Sequence, residues 1–375
     1  MRILVIDHNA ADPFCQSLYR ALCREDDVAL RLVVPARWFD NYRVLRTEAV
    51  RDGERFQVDP LRTVFQSRAH RLVYRGLAKV IREFNPAIVY VNAEPENFQT
   101  LECALAVRNS PGVRFVFSTW RNIDYAGGRF PYRFSALHAR AEQTVLGRAD
   151  HAIAFVPEAA PIFSRAGFRR VSWIPPDVDT SLFTPSNVAK AGRRDAFTVG
   201  YAGRFHPLKG LETLFHAVAG LPAGYRLLLV GGGPEEAALR RRSIEIGIGN
   251  RLEWRGPVER RRMPEVMNEM DALVLPSRTG KQWKEQFGRV LVEAMACGVP
   301  VIGSDSGGIP GVIGDAGLVF PEGDVQGLRV AIERMGDDTV LRQGYIEKGL
   351  SRVGEQYSVA GIATRYSKLF RSLLE

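Results

Sequence analysis

The chain has 375 residues, 46% of them hydrophobic and 25% charged, which is too long for one ordinary core and excludes disorder over most of its length. The formal net charge is +9, and residues 1–170 hold 25 Lys and Arg against 18 Asp and Glu, an excess that points to anionic partners: a phospholipid surface, a phosphorylated acceptor or nucleic acid. No stretch approaches ~18 uninterrupted apolar residues, MRILVID is too short for a signal peptide, and Cys15, Cys23, Cys103 and Cys297 form no C-x-x-C pair; a cytoplasmic, reduced chain without spanning helix, zinc site or disulfide framework is expected.

In chain order, RILVI (2–6) reads as a strand, a helix is expected over 13–25, and ALRLVVP (29–35) as the next strand. A longer helical stretch precedes the apolar strand AIVYVN (87–92), followed by RFVFSTW (114–120), AIAFVP (152–157) and VSWIPP (171–176). The polar segment 179–195 has no clear period and reads as a linker. A second series then begins: strands FTVGYAG (197–203), YRLLLVG (225–231), RLEWRG (251–256), ALVLPS (272–277) and VPVIGSD (299–305), with helices over 235–246, near 263–269 and near 287–297. Strands alternating with helices imply parallel βαβ units, hence two α/β doubly wound domains. The expected division is residues 1–185 and 186–359, the two domains facing a central cleft. Ligands in such folds bind at the carboxyl ends of strands, which is where GRFHPLKG, GGGPEE, GPVERR, SRTGKQWKEQFG and SDSGGIP lie.

Two loops carry the chemistry. GYAGRFHPLKG (200–210) places Arg204 and Lys209 on a short loop bounded by Gly203 and Gly210, two cations suited to a pyrophosphate. They would also stabilise negative charge developing on a phosphate leaving group. In EQFGRVLVEAMACGVPVIGSD, Glu285 and Gln286 precede a helix whose first amides, near Phe287, Gly288 and Arg289, can receive an anion. Glu293 lies on that helix, roughly 8 Å from the phosphate end at ~1.5 Å per residue, about the reach from a diphosphate to a ribose.

Taken together, GYAGR…KG, LLLVGGGP (227–234), the E-x7-E pair Glu285/Glu293 and GLVFPEGD (317–324) resemble the family-4 retaining glycosyltransferases, in order and spacing, over most of residues 197–325. That resemblance implies a GT-B fold of two Rossmann-like domains, with a C-terminal helix over 360–375 crossing back onto the first. It implies that Arg204 and Lys209 grip the donor diphosphate, Glu285 holds the transferred sugar and Glu293 the ribose, with Gly232, Pro257 and Val258 lining the nucleotide. The implied activity is transfer from a nucleotide-diphosphate sugar, UDP-sugar first and GDP-sugar next, with retained anomeric configuration. No metal, no cofactor and no nucleic-acid partner are expected. The acceptor would be a saccharide or lipid-linked saccharide in cell-envelope or exopolysaccharide assembly. The D-x-D pair Asp177/Asp179 matches a metal-binding spacing but stands where the family has an N-G-V-D turn, so it is read as structural.

The first half departs from the family pattern. The loop DHNAADPFCQ (7–16) lacks the Gly-Gly pair that many relatives carry, and Ser118-Thr119-Trp120-Arg121-Asn122 stands where they often place a histidine. Trp120, Arg121 and Asn122 are therefore candidates for the sugar or acceptor site. His8, His138 and His206 receive no role. Arg68, Arg71, Arg75, Lys79 and Arg82 recur at spacings of three and four, predicting a basic amphipathic helix over 68–84 that could meet the inner face of an anionic membrane. The rival readings are a degenerate transferase that binds a sugar nucleotide without turnover, supported by those first-half departures, and a dinucleotide oxidoreductase, disfavoured because GGGP lacks the G-x-G-x-x-G spacing.

Overall fold

The computed structural model describes residues 1–25, 27–40, 43–53, 55–66, 68–125, 130–132, 134–186 and 196–375. The chain divides into two compact units, Met1–Asp177 with Val359–Glu375, and Val178–Ser358. Residues 178–186 belong to the second unit through their backbone: the Val178 amide donates to the Tyr357 carbonyl at 2.8 Å and the Ser186 amide to Asn268 Oδ1 at 2.7 Å.

The first unit is built on β1 (Arg2–Ile6), β2 (Ala29–Pro35), β3 (Arg37–Asp40), β4 (Arg43–Arg46), β5 (Val50–Asp52), β6 (Phe56–Leu61), β7 (Thr63–Val64), β8 (Val73–Tyr74), β9 (Ile88–Val91), β10 (Arg114–Thr119), β11 (His151–Ala154) and β12 (Val171–Trp173). Eight of these form one sheet in the order β12-β11-β10-β9-β1-β2-β6-β5, parallel except for β5. The central strands are apolar on both faces: Ile3, Leu4, Val5 and Ile6 are fully buried, as are Ile88, Val89 and Val91, as expected for a sheet covered by helices on both sides. The order reverses direction between β1 and β9, so the loops after β1, β9 and β10 meet at one edge of the unit. The terminal helix Val359–Ser372 packs into this unit, with Tyr366 bonded to Tyr90 at 3.1 Å and Arg371 paired with Glu25 and Asp27.

Three sequence-based expectations fail here. The segment expected as a helix over 13–25 is a 3-10 turn, Pro13–Gln16, followed by the short helix Ser17–Leu22. The stretch before β9, expected to be helical, holds strands β3 to β8. The basic helix over 68–84 does not form: Ala69–Arg71 is a 3-10 turn, Val73–Tyr74 pairs antiparallel with Thr63–Val64, and the helix covers only Leu77–Phe84. Gly76, at φ 91°, breaks the period between the two halves. Arg68, Arg71 and Arg75 thus do not share a helical face with Lys79 and Arg82.

The second unit carries β13 (Phe197–Arg204), β14 (Tyr225–Gly232), β15 (Leu252–Arg255), β16 (Ala272–Leu275), β17 (Val301–Ser304) and β18 (Gly317–Phe320). They form one parallel sheet in the order β15-β14-β13-β16-β17-β18. This is the doubly wound order of a mononucleotide fold, with its reversal between β13 and β16. Among the described residues no helix is long and apolar enough to cross a membrane.

Candidate functional site

In the second unit, the loops following β13 and β16 lie on either side of the strand-order reversal, where such sheets hold ligands. After β13 the chain makes a 3-10 turn, Pro207–Lys209, capped by the His206 ring, which accepts from the Leu208 amide at 3.3 Å. That turn aims Lys209 at the β16 loop: its Nζ donates to Glu285 Oε2 at 2.6 Å and sits 4.8 Å from the centre of the Trp283 ring. Ser277 Oγ donates to the same carboxylate oxygen at 2.7 Å, so the buried Glu285 is held by one cation and one hydroxyl. Arg204 is exposed at the end of β13 and, among the described residues, has no acidic partner.

Glu285 owes its position to a glycine turn after β17. The Gly308 amide donates to the Glu285 carbonyl at 2.9 Å. Gly307 adopts φ +52°, and a Cβ there would lie 2.0 Å from that same carbonyl oxygen, so only glycine lets the two loops touch. The helix Arg289–Ala296 begins after Gly288, at φ +82°. A Cβ on Gly288 would meet Leu275 Cδ2 at 2.8 Å, so packing and backbone conformation both require this glycine, in addition to any approach by an anion. Phe287 is buried with its ring edge-on to Tyr357 at 5.6 Å, which leaves its main chain as the part able to serve a ligand. Arg289 is exposed and Gln286 half-buried. On the helix, Glu293 Oε1 accepts from Arg260 Nη2 at 2.9 Å. Gly232 closes β14 beside Pro257, whose Cγ would be 3.6 Å from a Cβ added to the glycine, with Val258 next along the same loop.

Lys209 and Glu285 are thus brought into contact, and Gly232 and Pro257 adjoin each other. Arg260 and Trp283 were not among the residues expected from sequence. Both stand in loops that follow strand ends, which is the one signal that could have singled them out.

Trp120, Arg121 and Asn122 lie in the first unit, after β10. Trp120 packs on Phe155 with ring centres 4.5 Å apart, and its amide donates to Glu94 Oε1 at 2.6 Å. Arg121 is buried; it donates to Glu96 at 2.5 Å and to Glu142, and lies over the rings of Phe163, Phe130 and Tyr125 at 4.9, 5.3 and 5.6 Å. Its guanidinium is committed to an internal ion network. Asn122 is buried. Glu94, half-buried, also accepts from Thr119 Oγ1 at 2.6 Å, and desolvation pushes its carboxyl above the ordinary carboxylate range against the pull of Arg121.

Beside this network, the carboxylate of Asp7 at the end of β1 takes Tyr19 Oη at 2.7 Å and Asn92 Nδ2 at 2.8 Å, while the Asn9 amide reaches it at 2.9 Å. The glycine-free loop 7–16 is therefore organised by a buried aspartate. His8 meets Gln99 Nε2 through Nδ1 at 3.2 Å, and His138 meets the Glu96 carbonyl through Nδ1 at 2.8 Å. Asp179 caps its own turn, accepting from the Ser181 amide at 3.0 Å and hydroxyl at 2.5 Å. Glu94, Glu96 and Glu142 carry no periodic sequence signal, though AEPE does follow a strand end.

Comparison with known proteins gives this geometry its context. Over its whole length the chain resembles sucrose-phosphate synthase from Thermosynechococcus elongatus (TM-score 0.75, 22% identity, covering 100% of this chain and 99% of that one). It also resembles Anabaena HepE in complex with UDP (TM-score 0.74, 21% identity, covering 99% and 100%). At this identity the likeness establishes the fold, two Rossmann-like units of the GT-B type. In sequence it is 34% identical over 201 residues to a D-inositol 3-phosphate glycosyltransferase of Mycobacteroides abscessus, covering 50% of this chain and 44% of that protein. The chain therefore spans less than half the length of the relative it matches. Residues 185–352, which hold Lys209, Glu285 and Glu293 alike, match the glycosyl transferases group 1.

Proposed function

We propose that the second unit binds a nucleotide-diphosphate sugar, UDP-sugar first and GDP-sugar next, and that the protein transfers the sugar with retention to a saccharide or lipid-linked saccharide acceptor held by the first unit. The observation that carries this reading is the Lys209–Glu285 contact of 2.6 Å at the sheet's reversal point, beside the start of the helix bearing Glu293. The solved complexes of Anabaena HepE with UDP and with UDP-glucose, on the same fold, support the choice of donor.

On this reading the donor diphosphate replaces Glu285 as the partner of Lys209, with Arg204 as the second cation and the amides after Glu285 completing the cradle. Glu285, released, accepts hydroxyls of the transferred sugar. Glu293 takes the ribose hydroxyls, and Gly232, Pro257 and Val258 flank the nucleotide. The bond between the sugar's anomeric carbon and the β-phosphate oxygen breaks as the acceptor oxygen bonds to that carbon on the same face. The acceptor proton passes to the departing phosphate, whose charge the two cations stabilise. No metal takes part.

The test is release of UDP from UDP-glucose, with and without EDTA, across a panel of donors. Lys209→Ala and Arg204→Ala are each expected to lower the rate roughly 10²-fold or more, with EDTA without effect. Near-wild-type turnover in the double variant would refute the assignment. Tight UDP binding with no hydrolysis and no transfer would mark a degenerate binder instead.

A further inference from the structure

The first unit carries a pocket outside the donor site and the Arg121 network described above. The hairpin β3–β4 pairs Arg37 with Arg46, Trp38 with Leu45, and Phe39 with Val44. Alternation places Trp38 and Leu45 on the face packed against the core, and the Arg37/Arg46 and Phe39/Val44 pairs together on the other. Phe39 is 52% exposed and Val44 44%. A pocket of about 430 Å³ opens here, lined by Arg37, Phe39, Val44, Thr63, Phe65 and Gln66, within the roughly 300–1,000 Å³ of small-ligand sites.

Two features mark it as built for a ligand. Two arginines directly opposite on one face of a two-stranded ribbon repel each other, and neither has an acidic partner among the described residues. Phe65 holds φ 59° while leaving 59% of its surface in water, an unfavourable backbone for a bulky residue that turns its ring toward the pocket. Thr63, on β7, also lines the pocket. Paired guanidinium groups call for a phosphate, and two phenyl rings with a valine call for hydrocarbon.

The geometry points to a binding site for a phosphate-bearing hydrocarbon chain, the phosphate at Arg37, with Arg46 opposite it on the ribbon, and the first carbons of the chain against Phe39, Val44 and Phe65. It deepens the acceptor reading above, on which it rests for its role: the site would anchor the lipid end of a lipid-linked acceptor. The same chemistry is offered by a prenyl phosphate and by a phospholipid.

The experiment is titration calorimetry of the full chain, without donor, against geranyl phosphate, geraniol, inorganic phosphate and monomeric dihexanoylphosphatidylglycerol. Geranyl phosphate or the short phospholipid is expected to bind at least about ten-fold more tightly than geraniol, and inorganic phosphate not to bind measurably; which of the two binds better names the source. Phe39→Ser/Phe65→Ser and Arg37→Ser/Arg46→Ser should each weaken that binding about ten-fold or more, with circular-dichroism melting and UDP-induced thermal shift unchanged. Equal affinity in wild type and both variants, no binding of either amphiphile, or geraniol binding as well as its phosphate would overturn the site. Because no donor is present, loss of this site leaves the transferase reading standing, and absence of UDP turnover leaves this measurement intact.

Discussion

Replacing Arg121 by leucine separates a ligand-binding arginine from a structural one. Its side chain is 6% exposed and those of Glu96 and Glu142 are 2% and 15% exposed, so the variant leaves one buried and one half-buried carboxylate without their cation. Removing one member of a buried ion network costs roughly 3–5 kcal/mol. At roughly 2–4 °C per kcal/mol for a unit of about 150–250 residues, Tm should fall by roughly 6–20 °C. Burial already raises the Glu96 carboxyl against the pull of Arg121, and loss of the arginine raises it further. A carboxyl raised by folding contributes stability that is present at low pH and lost as pH rises, so the deficit of the variant should be smaller at pH 5 than at pH 8. Scanning calorimetry at the two pH values provides the assay, with Arg121→Leu/Glu96→Gln/Glu142→Gln expected to recover part of the lost Tm. A variant that melts with wild type at both pH values while losing transfer activity would refute the network account and return Arg121 to the acceptor site.

The other expectations concern single contacts. Glu102 accepts from the Tyr74 amide at 2.8 Å and burial pushes its carboxyl up to about 7, so its contribution is complete below the unfolded value near 4.5 and lost as pH rises through about 7; Glu102→Gln should flatten the fall in Tm between pH 5 and pH 8. Gly307→Ala puts a methyl 2.0 Å from the Glu285 carbonyl oxygen and must shift that loop; a displacement of that order should lower UDP-glucose turnover roughly 10²-fold, measured as UDP release, while Tm changes little by comparison. Arg260→Ala frees Glu293 from its 2.9 Å partner and should change UDP affinity, read by thermal shift, more than the rate at saturating donor.

Much of this protein could be read from one sequence, because its signals are local. Apolar runs such as RILVI and FTVGYAG carry the strand pattern in a few residues, and glycines at loop ends announce where the backbone must turn. The ordered set of Arg204, Lys209, Glu285 and Glu293 is likewise a linear pattern. Arginines at 68, 71, 75, 79 and 82 misled because a helical period survives a glycine in the string but not in the backbone, where Gly76 takes φ 91° and Thr63–Val64 captures Val73–Tyr74 as a strand.

What only the folded chain decides is which groups neutralise one another. Lys209 and Glu285 stand 76 residues apart and Arg121 and its two glutamates 25 and 21, and no periodicity reports such encounters. They arise where parallel strands deliver their loops to one edge of a sheet, and burial there makes an unpaired charge so costly that each has found its partner. Sequence therefore determined the elements and the residue types, and the tertiary fold determined their charge pairs.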